Sequence, residues 1–157
     1  MNSIDVHIVQ LQPMRIASAY GFGEQPELIA WQNMKDWAQP KGLLEDLEAH
    51  PMFGCNNPYP IPGNARYGYE FWLNVGTDVE PGGSIRIGEF FGGLYATTRC
   101  EVHGDPGLTV PSGWQSLAEW CKKSNHAIAK HPALERFLGV PDDLDHLVLI
   151  LHCPIVS

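Results

Sequence analysis

In the stretch YGYEFWLNV, Glu70 and Trp72 stand two residues apart. On a β-strand that spacing puts both on one face, while Tyr67, Tyr69, Phe71 and Leu73 take the other. A carboxylate beside an indole can hold a cation, because the anion and the ring face together restore part of the solvation the cation loses. The same pattern also describes an ordinary outward strand face, so Glu70 and Trp72 form either a cation site or a solvated edge. Glu135, in PALERFLGV, is an acid among apolar neighbours. Ala133, Glu135 and Phe137 would share one strand face, with Leu134, Arg136 and Leu138 opposite. Glu135 is therefore either functional or a rim residue paired with Arg136 or Lys130.

Other chemistries lack a matching pattern. His126 and His131 are five positions apart across a loop and His146 and His152 six apart on a strand, neither a metal-ligand spacing. Cys55, Cys100, Cys121 and Cys153 make no C-x-x-C pair and are expected to be reduced and buried. No Walker loop, G-x-S-x-G elbow or G-x-G-x-x-G is present. The expectation is no metal and no cofactor. A formal net charge of -8, with scattered Lys and Arg, argues against direct nucleic-acid binding and favours cationic partners, though it also serves solubility. The longest apolar run, Leu147 to Leu151, is strand-sized, far short of the roughly 20 residues that span a membrane. The start, MNSIDVHIVQ, lacks a basic segment followed by an apolar block and cleavage site. A cytoplasmic location without membrane contact is expected.

The elements that must position these residues follow from periodicity. The length, 157 residues, suits one domain or a compact pair of half-domains. Ile4, Val6 and Ile8 alternate with Asp5 and His7 before Val9 and Leu11 switch register, which reads as a first strand with a bulge. AYGFGEQ reads as a loop. Pro26 opens a helix carrying Leu28, Trp31, Met34, Trp37 and Ala38, ended by Pro40 and Gly42. MFGCNN is a short strand, NPYPIPGN a turn, and YGYEFWLNV a clear strand. IRIGEFFGGLYATT reads as one bent strand or two short ones. CEVHGDPGLTVP reads as a loop, and Ser112 with Gln115 as a capping box opening the second helix. HPALERFLG and HLVLILHCPI then supply a short and a final strand.

The order is strand-helix-strand-strand, twice, with halves of about 1–80 and 81–157. WQNMKDW at Trp31 and WQSLAEW at Trp114 mark the duplication, since Trp114, Leu117, Trp120 and Cys121 match Trp31, Met34, Trp37 and Ala38. Residues at i, i+3 and i+6 share one helical stripe, so these tryptophans are expected mainly in the core.

The ordered strings IVQLQPMRIA, YGYEFWLNV, GGLYATT, HGDP, W-x-x-L-x-x-W, PALERFLGV and LVLILHCPI resemble the GyrI-like (gyrase-inhibitor-like) domain. This is also the bacterial effector-binding domain of AraC-type and MerR-type regulators, expected here in its stand-alone form. The resemblance covers almost the whole chain. It implies an α+β fold of duplicated β-α-β-β units with pseudo-twofold symmetry, a curved antiparallel sheet, two main helices and a central cleft that binds lipophilic, often cationic, molecules. Glu135 falls at the family's pocket glutamate and Tyr95 at its inward tyrosine, which otherwise reads as a core tyrosine bonded to backbone.

On this reading Glu135 and Glu70 supply counter-charge, and Tyr69, Trp72, Tyr95, Trp114 and Phe137 supply ligand-binding walls. The protein would be a sensor, a sequestering protein or the ligand-binding subunit of a regulator. Because the first residues already form a strand, DNA control would need a partner protein, and a homodimer is the other assembly envisaged. The resemblance also implies a hydrolase alternative, in which Tyr69-Glu70 and Trp72 open strained electrophiles with a glutamate as general base, and a gyrase-inhibitor-like protein-binding alternative.

Overall fold

Strands of alternating burial and two helices, each with one apolar stripe, make an α+β fold with antiparallel strands. The computed structural model describes residues 4–103 and 105–156; Gly104 of the HGDP string and the first three residues of the expected leader-free start lie outside them. In chain order the elements are β1 (Val6–Leu11), β2 (Met14–Gly23), α1 (Pro26–Ala38), β3 (Met52–Asn56), β4 (Tyr67–Asn74), β5 (Arg86–Phe90), β6 (Gly93–Glu101), α2 (Pro106–Lys123), β7 (Leu134–Phe137) and β8 (Val148–Pro154).

The chain divides into two compact units, one of Met14–Phe90 and one of Met1–Pro13 with Phe91–Ser157. In the first, β3, β4, β2 and β5 lie side by side, every pair antiparallel. Alternation along β4 buries Tyr69, Phe71 and Leu73 and leaves Glu70, Trp72 and Asn74 half-buried. The buried set faces α1, whose Ala30, Trp31, Met34 and Ala38 are buried. Trp31 meets Phe71 edge-on at 5.7 Å, a favoured aromatic geometry.

The expected loop AYGFGEQ is instead the end of β2. Its helix-side residues are Ala17, Ala19 and Gly21, opposite Leu73, Phe71 and Tyr69. Small residues here let α1 sit close. A Cβ on Gly21 would collide with the Pro26 carbonyl and stand 2.8 Å from the Ala30 nitrogen. The strand escaped the periodicity argument because the residues it buries are not large.

In the second unit the order is β1, β6, β8, β7, again antiparallel, with α2 packed on one face. Helix α2 starts earlier than Ser112. Asp105 is its N-cap, accepting from the Gly107 N–H at 2.8 Å, and Pro106 occupies the first turn. Ser112 lies inside the helix after the internal Pro111. The capping-box reading was wrong because Asp-Pro is the earlier start signal and one internal proline does not end this helix. Leu117 and Cys121 are buried, at the positions that match Met34 and Ala38.

IRIGEFFGGLYATT is two strands, broken at Gly92, whose φ of +85° suits glycine. The leading strand of each sequence half belongs to the unit built on the other. β1 precedes β2 yet pairs with β6, while β5 precedes β6 yet pairs with β2. The compact units therefore do not coincide with 1–80 and 81–157.

Candidate functional site

Glu70 stands on the face of β4 turned away from α1. Strand register brings Tyr20 and Cys55 opposite it, and Ser18 and Phe53 opposite Trp72. Oε1 of Glu70 accepts the Ser18 hydroxyl and the Trp72 indole N–H, each at 3.1 Å. Oε2 accepts the Asn57 amide at 2.6 Å. All three donors are neutral, so they orient the carboxylate without cancelling its charge. The Trp72 ring lies 5.6 Å from that of Phe90, which belongs to β5. The result is a half-buried anion with aromatic neighbours.

Tyr69 does not join this group. It is 3% exposed, lies on the α1 side of the strand and stacks edge-on with Phe71 at 5.2 Å. Tyr69 and Glu70 are adjacent in sequence and separated by the sheet.

Glu135 stands on the opposite kind of face. It pairs in register with Leu151, and Thr98 pairs with the same leucine. A Cβ on Gly113 of α2 would lie 2.9 Å from Leu151 Cδ1 and 3.3 Å from the Cys100 sulfur, so this face is the one α2 covers. Trp114, on α2, donates its indole N–H to Glu135 Oε2 at 3.0 Å. Phe137 shares the face and is buried. Burial, and then the Glu135 charge, push the Cys100 thiol up from its ordinary range. Arg136 alternates to the other face, away from Glu135, and its buried Nε has no hydrogen-bond partner among the described residues.

Tyr95 also lies on that other face. It is fully buried, donates its hydroxyl to the Pro132 carbonyl at 2.6 Å, and meets the rings of His131 at 4.9 Å and His152 at 5.5 Å. His131 is held by the Leu94 carbonyl at 2.8 Å and His152 by that of Ile150 at 2.9 Å. Burial, with the Arg136 charge as a lesser cause, lowers His152 to about 4 even though its bond to Ile150 favours the proton. This imidazole is neutral at physiological pH.

The structure thus gathers Glu70 with Trp72 in one unit and Glu135 with Trp114 and Phe137 in the other, while Tyr69 and Tyr95 occupy the reverse faces. Trp31 is buried, whereas Trp37, Trp114 and Trp120 are half-buried, so the helical tryptophans are less uniformly core than the repeat suggested. Sequence reasoning missed Ser18 and Asn57. Asn57 opens the expected turn NPYPIPGN, but no local signal ties it to a carboxylate thirteen residues on. The four cysteines are buried and none is in a disulfide. Among the described residues, no group of three or more His, Cys, Asp or Glu could hold a metal ion, and no helix is long and apolar enough to cross a membrane.

The family model of the GyrI-like small molecule binding domain matches residues 4–150. No curated protein matches the chain. Among solved structures, the chain resembles EcmrR in its complex with DNA, with a TM-score of 0.68 at 12% identity, covering 98% of this chain and 57% of that one. It therefore spans little more than half of that protein's length. It is also similar to a hydrolase from Listeria innocua, with a TM-score of 0.69, 10% identity and coverage of 99% and 94%. SAV2435 bound to tetraphenylphosphonium matches with a TM-score of 0.58, 9% identity and coverage of 98% and 95%. At these identities the likeness is one of fold.

Proposed function

Because the chain belongs to the GyrI-like small-molecule-binding family, which is related to the effector-binding domains of regulators, we propose that it binds lipophilic cations through the carboxylate–indole pairs Glu70–Trp72 and Glu135–Trp114. The observation that carries this reading is the environment of Glu70. Its oxygens are met by a hydroxyl, an amide and an indole N–H, so its charge is left for a ligand. A delocalised cation is weakly hydrated and loses little on leaving water, and each good contact with an aromatic face adds on the order of 0.5 to 2 kcal/mol. That the similar structure of SAV2435 is bound to tetraphenylphosphonium makes this ion the natural first probe. Trp72, Trp114 and Phe137 serve as apolar walls. Tyr95 and Tyr69 contribute by shaping the sheets. In the cytoplasm such a module acts as a drug or effector sensor, a sequestering protein or the ligand-binding subunit of a regulator.

Calorimetric titration with tetraphenylphosphonium should saturate, and Glu70→Gln and Glu135→Gln should each weaken binding about tenfold, which corresponds to about 1.4 kcal/mol. Absence of saturable heat up to millimolar ligand would remove the proposal. A hydrolytic role built on Tyr69 with Glu70 is less well supported, since the two side chains lie on opposite faces of β4.

A further inference from the structure

A cavity of about 820 Å³ lies wholly within the Met14–Phe90 unit, between the end of α1 and the segment joining β4 to β5. Its floor includes Trp37 and Leu43, and its rim carries Asp36, Asp78 and Glu80. The only basic side chain among its lining residues is Lys41, whose ammonium stands 5.3 Å from the centroid of the Trp37 ring. None of these residues is joined to Glu70 by a hydrogen bond.

We propose that this cavity is a second binding site, for an organic ammonium with an apolar body, and that Lys41 occupies its cation position when no ligand is present. The ring face of Trp37 attracts positive charge through its quadrupole, and the chain's own ammonium is already placed there. Asp36, Asp78 and Glu80 outnumber Lys41 among the lining residues, so the cavity retains an excess of negative charge. The C-terminal end of α1 adds the negative end of its dipole. Tryptophan and leucine supply apolar surface that an inorganic cation could not use.

The wall is built rather than loose. Arg15 donates from Nε to the Gly76 carbonyl at 3.1 Å and from Nη2 to the Val79 carbonyl at 2.9 Å, pinning the turn that bears Asp78. Gly82 passes close to the Trp37 indole, where an added Cβ would stand 3.6 Å from Nε1. Lys41 ends a short 3-10 turn, and Gly42 after it takes the left-handed conformation at φ 73°. Lys41 is exposed and its four-carbon stem is flexible, so its ammonium can leave the ring while α1 stays in place.

The probe is benzyltrimethylammonium, titrated into ¹⁵N-labelled protein against a sodium chloride control of equal ionic strength. The readout is the indole N–H resonance of Trp37, assigned by its loss in Trp37→Phe. Saturable movement of that resonance is expected. The double variant Asp78→Asn/Glu80→Gln should weaken binding at least tenfold, and Lys41→Met should tighten it several-fold by removing the competing cation. Glu70→Gln and Glu135→Gln should leave it unchanged, which keeps this result separate from the fate of the tetraphenylphosphonium reading. Each variant is first matched to wild type by circular dichroism and melting. A Trp37 resonance that moves no more than in sodium chloride, or a Lys41→Met protein that binds no tighter, would overturn the proposal.

Discussion

Each compact unit pairs a glutamate with an indole N–H, yet the two glutamates sit on opposite sides relative to their helices. Glu70 lies on the sheet face that α1 leaves uncovered, and its indole donor is two residues away on the same strand. Glu135 lies on the face that α2 covers, and its donor comes from the helix itself. A repeated sequence signature therefore produces two corresponding helices without producing two equivalent acids. The position of the acid along its strand decides which face it takes, since one step along a strand reverses the side chain.

The comparison breaks most visibly at the closest helix–sheet approach. Gly21→Ala should cost several kcal/mol in a urea melt, because its Cβ meets backbone atoms of Pro26 and Ala30 that cannot yield. Gly113→Ala should cost about 1 kcal/mol, because it meets the ends of side chains, Leu151 and Cys100. Equal costs would mean that the two helices are seated alike.

A second test compares the cores beneath the helices. Met34→Ala and Leu117→Ala remove matched, fully buried side chains, and each should cost about 2–5 kcal/mol. A loss below about 1 kcal/mol for either, in the same melt, would show that the stripe is not the anchor of its unit.

Acid should act on the units unequally. His152 has its folded pKa lowered to about 4 from 6.5, so the unfolded chain takes up its proton first as pH falls. The associated stability is present above pH 6.5 and is lost between 6.5 and about 4, amounting to about 3 kcal/mol at most. The buried polar residues Thr97, Thr98 and His152 all lie in the unit of β6 and β8. Hydrogen exchange should therefore show β6 and β8 losing protection in that window before β2 and β4, and His152→Gln should flatten the effect. Simultaneous loss in both units, unaltered by the substitution, would exclude this imidazole as the cause.

The last comparison concerns the indole donors. Trp114→Phe removes the N–H from a carboxylate on a helix-covered face and should cost about 1.5–3 kcal/mol. Trp72→Phe leaves Glu70 with its Ser18 and Asn57 donors and should cost less than about 1 kcal/mol. Thermal melts of the two variants rank them, and the reverse order would contradict the face assignment.

Much of this fold was legible in the chain. Helix α1 was readable because Trp31, Met34 and Ala38 keep a helical period between Pro26 and Gly42, and β4 because its large apolar residues alternate with Glu70, Trp72 and Asn74. Strand β2 was hidden by Ala17, Ala19 and Gly21, which are buried for closeness rather than for apolar bulk. The start of α2 was hidden by Pro111 and by a plausible cap at Ser112.

By itself the sequence determined the repeat, the two helical stripes and the sharing of a face by Glu70 and Trp72, because each depends only on spacing along one element. Tertiary structure alone decided that β1 and β5 join the units of β6 and β2, that α2 covers the Glu135 face, and that Ser18 and Asn57 meet Glu70. Those outcomes depend on contacts between residues distant in the chain, 52 positions for Ser18 and Glu70. Local periodicity carries no record of such partners, because strand pairing is chosen by how whole faces pack.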